Sequence, residues 1–134
     1  MSRRRDARRL AISVLYQADI AGRDPREVLA ERKEMGERVS GFTEELVAGV
    51  ADHRAELDEV IGAASVEWTV ARMAVVDRAV LRVGTFELLH RDDVPAGVAI
   101  DEAVAAAKEL STAESGAFVN GILGRIARDH AEAG

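Results

Sequence analysis

Apolar positions along most of the chain recur at steps of three and four, the signature of helices with one buried stripe. Ala7, Leu10, Ala11, Val14, Leu15 and Ala18 form the first stripe and predict an amphipathic helix to about Ala21, ended by Gly22. Arg5, Arg9, Ser13 and Tyr16 fall along a different face of it, flanked by Arg8, so the basic start is part of an ordered helix. Asp24-Pro25-Arg26-Glu27 is a helix start: Asp24 serves as N-cap, Pro25 suits the first turn, and Glu27 is placed to close a capping box. That second helix runs to about Met35. Between Ser40 and Ala64 the near-heptad series Phe42, Leu46, Val50, His53, Leu57, Ile61 predicts one long helix with acidic flanks.

Trp68, Val70 and Met73 suggest a short helical turn, and Val76, Ala79, Val80, Val83, Phe86 and Leu89 or His90 mark another long helix. The stretch RDDVPAGV at Arg91 to Val98 breaks it. Ala99 to Leu110 is Ala-rich and helical, and STAES links it to a last helix with Phe118, Val119, Ile122, Leu123 and Ile126 inward. No segment alternates with period two as a half-buried strand would. The pattern therefore predicts an all-α fold, a compact bundle of about seven helices in a single domain spanning residues 1–134. Gly49 and Gly84 lie inside helical patterns, where close helix crossings would account for them.

Charge changes this picture at one end. The formal net charge is −6, yet residues 1–9 carry five arginines against Asp6, a net +4 that leaves −10 on the other 125 residues. A compact cationic end on an acidic body favours a defined contact with a polyanion over general coating. Arginine forks pair bidentately with phosphates and stack on bases, so such a helix suits a nucleic-acid backbone. Tyr16, on the same side, could stack a base, pack in the core or meet a protein partner. With no cysteine, no secretory signal and no apolar run of membrane-spanning length, a soluble cytoplasmic protein with no membrane association is expected.

Candidate chemistry adds little. Glu87 and His90 have the Glu-x-x-His spacing of helical di-iron bundles, but neither His53 nor His130 supplies the second copy, so no metal site is expected. The three histidines sit in no nucleophile elbow, and no phosphate-cradling glycine loop with Gly-Lys-Ser/Thr is present. No catalytic residue, cofactor or enzyme activity is expected.

Three stretches carry a specific resemblance: ARRLAISVLYQ at Ala7 to Gln17, VDRAVLRVGTFELL at Val76 to Leu89, and VAIDEAVAAAKELSTAESGAFVNGILG at Val98 to Gly124. In order and spacing they resemble the NusB family of bacterial transcription factors. The resemblance implies two small helical subdomains without catalysis. It also implies binding of boxA RNA from ribosomal operon leaders, jointly with NusE, a small-subunit ribosomal protein, within the antitermination complex of RNA polymerase. Matched to the family pattern, the RNA-binding positions are Arg3, Arg4, Arg5, Arg8 and Arg9, with Ser115, Gly116, Ala117 and Phe118 at the start of the last helix. Tyr16 and Asp77 match positions facing NusE. This chain departs in reading ESGAF, without the basic residue some members place before the Phe, and in carrying Asp77 where other members have the longer Glu. Family members occur both as monomers and self-associated, so a homodimer is a possible state.

Overall fold

A computed structural model describes residues 3–133. Its elements are α1 (Arg3–Ala21), α2 (Pro25–Glu34), α3 (Gly41–Asp52), α4 (Arg54–Ala64), a 3-10 turn (Val70–Arg72), α5 (Val75–His90), α6 (Ala96–Leu110) and α7 (Ala113–Ala133). Among the described residues there is no strand. The expected all-helical class and helix number are both met. α1 to α3 pack together, α4, α6 and α7 gather around α5, and α1 and α3 also lie against α5.

The helix ends follow local chemistry. Gly22 ends α1 at φ 66°, a left-handed conformation that costs glycine little, and Arg23 N donates back to Ala18 O at 2.9 Å. Asp24 caps α2 by accepting from Arg26 N at 2.9 Å. The expected capping box does not form: the exposed Glu27 carboxylate lies toward Arg23, at 3.9 Å, and not on the Asp24 backbone amide.

The predicted long helix from Ser40 to Ala64 is in fact two, broken at His53, whose ψ of 15° and φ of −111° leave the helical register. As one straight rod it would be about 37 Å long, more than the ~30 Å width of a small domain. The break lets each half bury its own stripe. α3 turns Leu46, Val47 and Val50 toward α1 and α2, whereas α4 turns Leu57, Ile61 and Ala64 toward α5 and α7. Ser40 caps α3, and Thr43 Oγ1 donates to Ala7 O at 3.0 Å, a buried bond that fixes α3 on the start of α1.

α5 is the hub and is buried on nearly every side from Asp77 to Glu87, including Arg82, Thr85 and Glu87. Two glycines make the close approaches expected of them. A Cβ on Gly84 would lie 2.8 Å from Leu123 Cδ1 and 3.4 Å from Ala103 Cβ, so α6 and α7 both press on α5 there. A Cβ on Gly49 would collide with the outer edge of the Phe86 ring, whose seat there joins α3 to α5. Partly buried ion pairs complete the hub: Arg82 donates to both carboxylate oxygens of Asp58 (2.8 and 3.0 Å), and Asp19 receives Arg78 at 3.0 Å and Arg82 at 3.3 Å. α1, α4 and α5 are thereby tied together by charge as well as by packing.

Candidate nucleic-acid interface

The basic start of α1 lies along α6 and the α5–α6 loop, and its arginines are paired within the fold. Arg4 Nη2 donates to Asp93 at 2.9 Å, Arg5 Nη2 to Glu102 at 2.7 Å, and Arg9 Nη2 to Glu109 at 3.1 Å. Each arginine of this set is thus held by a carboxylate, an anion it pairs with as it would with a phosphate. The acidic body, expected to repel a polyanion, here supplies acids to the arginines themselves. The reason is spatial: the α5–α6 loop and α6 hold Asp93, Glu102 and Glu109 within side-chain reach of the arginines on α1.

Electrostatics follow the pairing. Hydrogen bonds from Arg91, then from Arg4, hold the Asp93 carboxyl well below its usual range, and the hydrogen bond from Arg5 lowers that of Glu102. The Arg4, Arg8 and Arg91 guanidiniums lie over the Phe42 ring, at 4.3, 5.2 and 5.0 Å from its centroid. One aromatic face thus organises three cations. Arg9 Nη1 is buried and without a hydrogen-bond partner.

Arg8 stands apart from its neighbours. It is 4 % exposed and donates through Nε and Nη2 to the two oxygens of Glu87, itself 1 % exposed, at 2.8 and 2.7 Å. The helical wheel places Arg8 on the edge of the basic face, whereas the structure turns it into the interior between α1 and α5. Replacing it would perturb the fold, while Arg4, Arg5 and Arg9 hold pairs reached by solvent.

At the other end of α6, the turn into α7 brings together residues from both predicted sets. Ser115 Oγ donates to Asp77 Oδ2 at 3.3 Å and lies 3.0 Å from Ser111 Oγ. Thr112 caps α7, accepting from Ser115 N at 3.0 Å. Asp77 Oδ1 is buried with no hydrogen-bond partner, and burial pushes the Asp77 carboxyl above its ordinary value, an effect the Ser115 bond partly offsets. Gly116 is buried under Lys108, whose Cγ would lie 2.6 Å from an added Cβ, while Ala117 is exposed and Phe118 half-buried.

Asp77, Ser115 and Phe118 line a cleft of about 400 Å³ together with Trp68, Arg72 and Met73. Sequence reasoning placed Trp68 only in a short turn. Its signal was an aromatic side chain in an irregular segment, and it is 48 % exposed. Tyr16 is exposed on α1 and does not line this cleft. It lies near the same end of the α1–α5 pair, since Asp19, one turn on, binds Arg78 next to Asp77. Arg3 is exposed at the start of α1.

A sequence model of the NusB family matches residues 5–128, nearly the whole of this arrangement. The chain belongs to the NusB family. It is 49 % identical over 124 residues to the transcription antitermination protein NusB of Thermobifida fusca, covering 92 % of this chain and 87 % of that protein. The NusB of an Arthrobacter strain is also 49 % identical, over 127 residues, covering 94 % of this chain and 93 % of that one. Among solved structures, T. maritima NusB superposes with a TM-score of 0.85 at 35 % identity, over 97 % of this chain and 94 % of that one. A complex of the antitermination factors NusB and NusE with double-stranded RNA matches with a TM-score of 0.83 at 30 % identity, over 96 % and 99 % of the two chains. The NusB-like fold thus extends through both the arginine cluster and the Asp77 cleft.

Proposed function

We propose that this chain is a cytoplasmic, non-catalytic transcription antitermination factor that binds boxA RNA of ribosomal operon leaders together with NusE, as one RNA-binding unit within the polymerase antitermination complex. The observation that carries this reading is the set of solvent-reached arginines on α1, each paired with a carboxylate across the fold. An exposed ion pair contributes about 0–1 kcal/mol, so a phosphate displaces or joins the carboxylate at little cost. Arg3, Arg4, Arg5 and Arg9 then grip the RNA backbone, and Arg8 fixes the angle of α1 from inside through Glu87. Ala117 and Phe118 extend the RNA surface, with Ser115 and Gly116 shaping the turn beneath them.

The cleft fits the protein partner. NusE is basic as a ribosomal protein, and Asp77 places an acidic group in the wall of this cleft. Exposed Tyr16 and Trp68 add aromatic contact area of the kind that anchors interfaces. Family membership in a group that includes a solved NusB–NusE–RNA complex supports the pairing of the two surfaces. The alternative, a protein-interaction module without RNA contact, draws on the internal neutralisation of the arginines.

Fluorescence anisotropy of a labelled boxA RNA, titrated with this protein at two salt concentrations with and without NusE, separates the two. The proposal expects salt-sensitive binding that tightens when NusE is added. Absence of RNA binding in both titrations, with a NusE complex still formed, would establish the alternative instead.

A further inference from the structure

The two histidines that spacing left without a motif meet in space. His53 stands at the break between α3 and α4, Glu56 in the first turn of α4, and His90 at the last residue of α5. The His53 and His90 rings stack at 4.1 Å between centroids, 24° from parallel. Phe86 flanks both, at 6.0 and 5.5 Å, and is itself fixed by its seat on Gly49. His90 Nε2 donates to Glu56 Oε1 at 2.7 Å, and His53 Nδ1 lies 3.5 Å from the same oxygen. One nitrogen from each ring and one carboxylate oxygen all lie within 4.8 Å of one another.

A hydrogen bond between His90 and Glu56 accounts for one ring. His53, the N-cap of α4 three residues before Glu56, brings a second imidazole to the same oxygen, so donors from α5 and from the α3–α4 junction converge on one point. We infer that His53, Glu56 and His90 form a binding site for a divalent transition metal of the zinc class, with water completing the coordination. Imidazole with carboxylate is a donor set for zinc, nickel or copper, whereas calcium and magnesium prefer oxygen alone. Ligand bonds of about 2.0–2.2 Å place donors ~3.4 Å apart on the edges of a tetrahedron, a value the two distances to Glu56 bracket. Movements of about 1 Å by side chains that are a third to a half exposed close the set around an ion.

The surroundings favour a cation. Two helices, α3 and α5, end at this point with partial negative charge against the single N-terminus of α4, and the Glu56 carboxylate adds a full negative charge. Arg54, the adjacent cation, is turned toward Asp19 and Asp58. Glu87, three residues before His90, is turned instead toward Arg8, so the liganding set runs across helices and not along one. A bound ion would clasp the α3–α4 junction onto the end of α5, joining the two groups of helices at a point outside the Asp77 cleft.

The test is calorimetric titration of zinc chloride into the tag-free, chelator-treated full chain, alongside His53→Gln, Glu56→Gln, His90→Gln and His130→Gln. Expected is saturable uptake of one equivalent, weakened about tenfold or more by each of the first three substitutions and unchanged by the fourth. Helicity by circular dichroism checks that the variants fold. Cobalt(II) added to the unaltered protein gives a second readout, with intense visible bands expected of a tetrahedral site. Absence of saturable zinc uptake, uptake that survives the His53 and His90 substitutions in folded protein, or a cobalt spectrum like that of the aqua ion would each overturn the assignment.

Discussion

Replacement of Arg8 by methionine tests the buried pair that joins α1 to α5. Glu87 is 1 % exposed, and both its oxygens accept from Arg8. Removing the cation strands a carboxylate in the interior, which costs about 3–5 kcal/mol. Against a typical domain stability of about 5–15 kcal/mol this is a severe loss, equivalent for a chain of this length to about 10–18 °C in Tm. Glu87→Leu is expected to cost less, about 1–3 kcal/mol, because Arg8 keeps Glu102 at 3.5 Å and the Phe42 face at 5.2 Å. The double variant Arg8→Met/Glu87→Leu, which removes both charges and keeps their volume, should return to within about 1 kcal/mol of the parent. Urea unfolding followed by circular dichroism on the four proteins gives the complete cycle. Additive losses, or a cost below about 1 kcal/mol for Arg8→Met, would refute a closed, water-free pair. The same double variant separates two roles for Arg8. If it acts by holding α1, RNA affinity stays within about threefold of the parent; a direct phosphate contact would lower it by more.

Arg5→Ala and Arg9→Ala should leave the fold intact and weaken RNA binding at low salt, each reducing the slope of log affinity against log salt by about 0.7 to 0.9; unchanged slopes would remove them from the phosphate contacts. Asp77→Asn should weaken the NusE complex by about tenfold or more in a pull-down or calorimetric titration while raising Tm. The sign follows from burial: the Asp77 carboxyl is raised above its ordinary value, so its charged form weakens the fold near neutrality, and stability is regained as pH falls through the raised value. Loss of stability in Asp77→Asn would contradict that account. Gly84→Ala should cost about 1–3 kcal/mol in thermal unfolding, because the new methyl lies 2.8 Å from Leu123 Cδ1 between packed helices; a neutral result would mean α7 can retreat.

Much of this protein is legible along the chain. Periodicity locates the helices, Gly22 and Pro25 mark their ends, and the motifs from Val98 to Gly124 carry the family. These features are local, set by one turn of backbone or by the order of residues, and a helix needs only its own stripe to declare itself. Where the stripes go is different. The apolar series from Phe42 to Ile61 is continuous in sequence but packs against different helices before and after His53, so only packing decides the break there. α5 carries Asp77, Arg82, Thr85 and Glu87 on faces that read as solvated, yet every one is buried because helices from both subdomains enclose it.

The site divides in the same way. That arginines cluster at one end is a property of sequence; that Arg8 points inward to Glu87 while Arg5 and Arg9 meet Glu102 and Glu109 depends on partners 79 to 100 residues away. Ser115 and Asp77, matched to different binding roles, share one cleft because the α6–α7 turn folds onto the start of α5. His53 and His90 stack although no spacing rule links them. Sequence by itself determined the helices, the family and the concentration of charge. Tertiary structure decided which charges face water and which face one another, because pairing depends on distances of a few ångströms that only the packed helices establish.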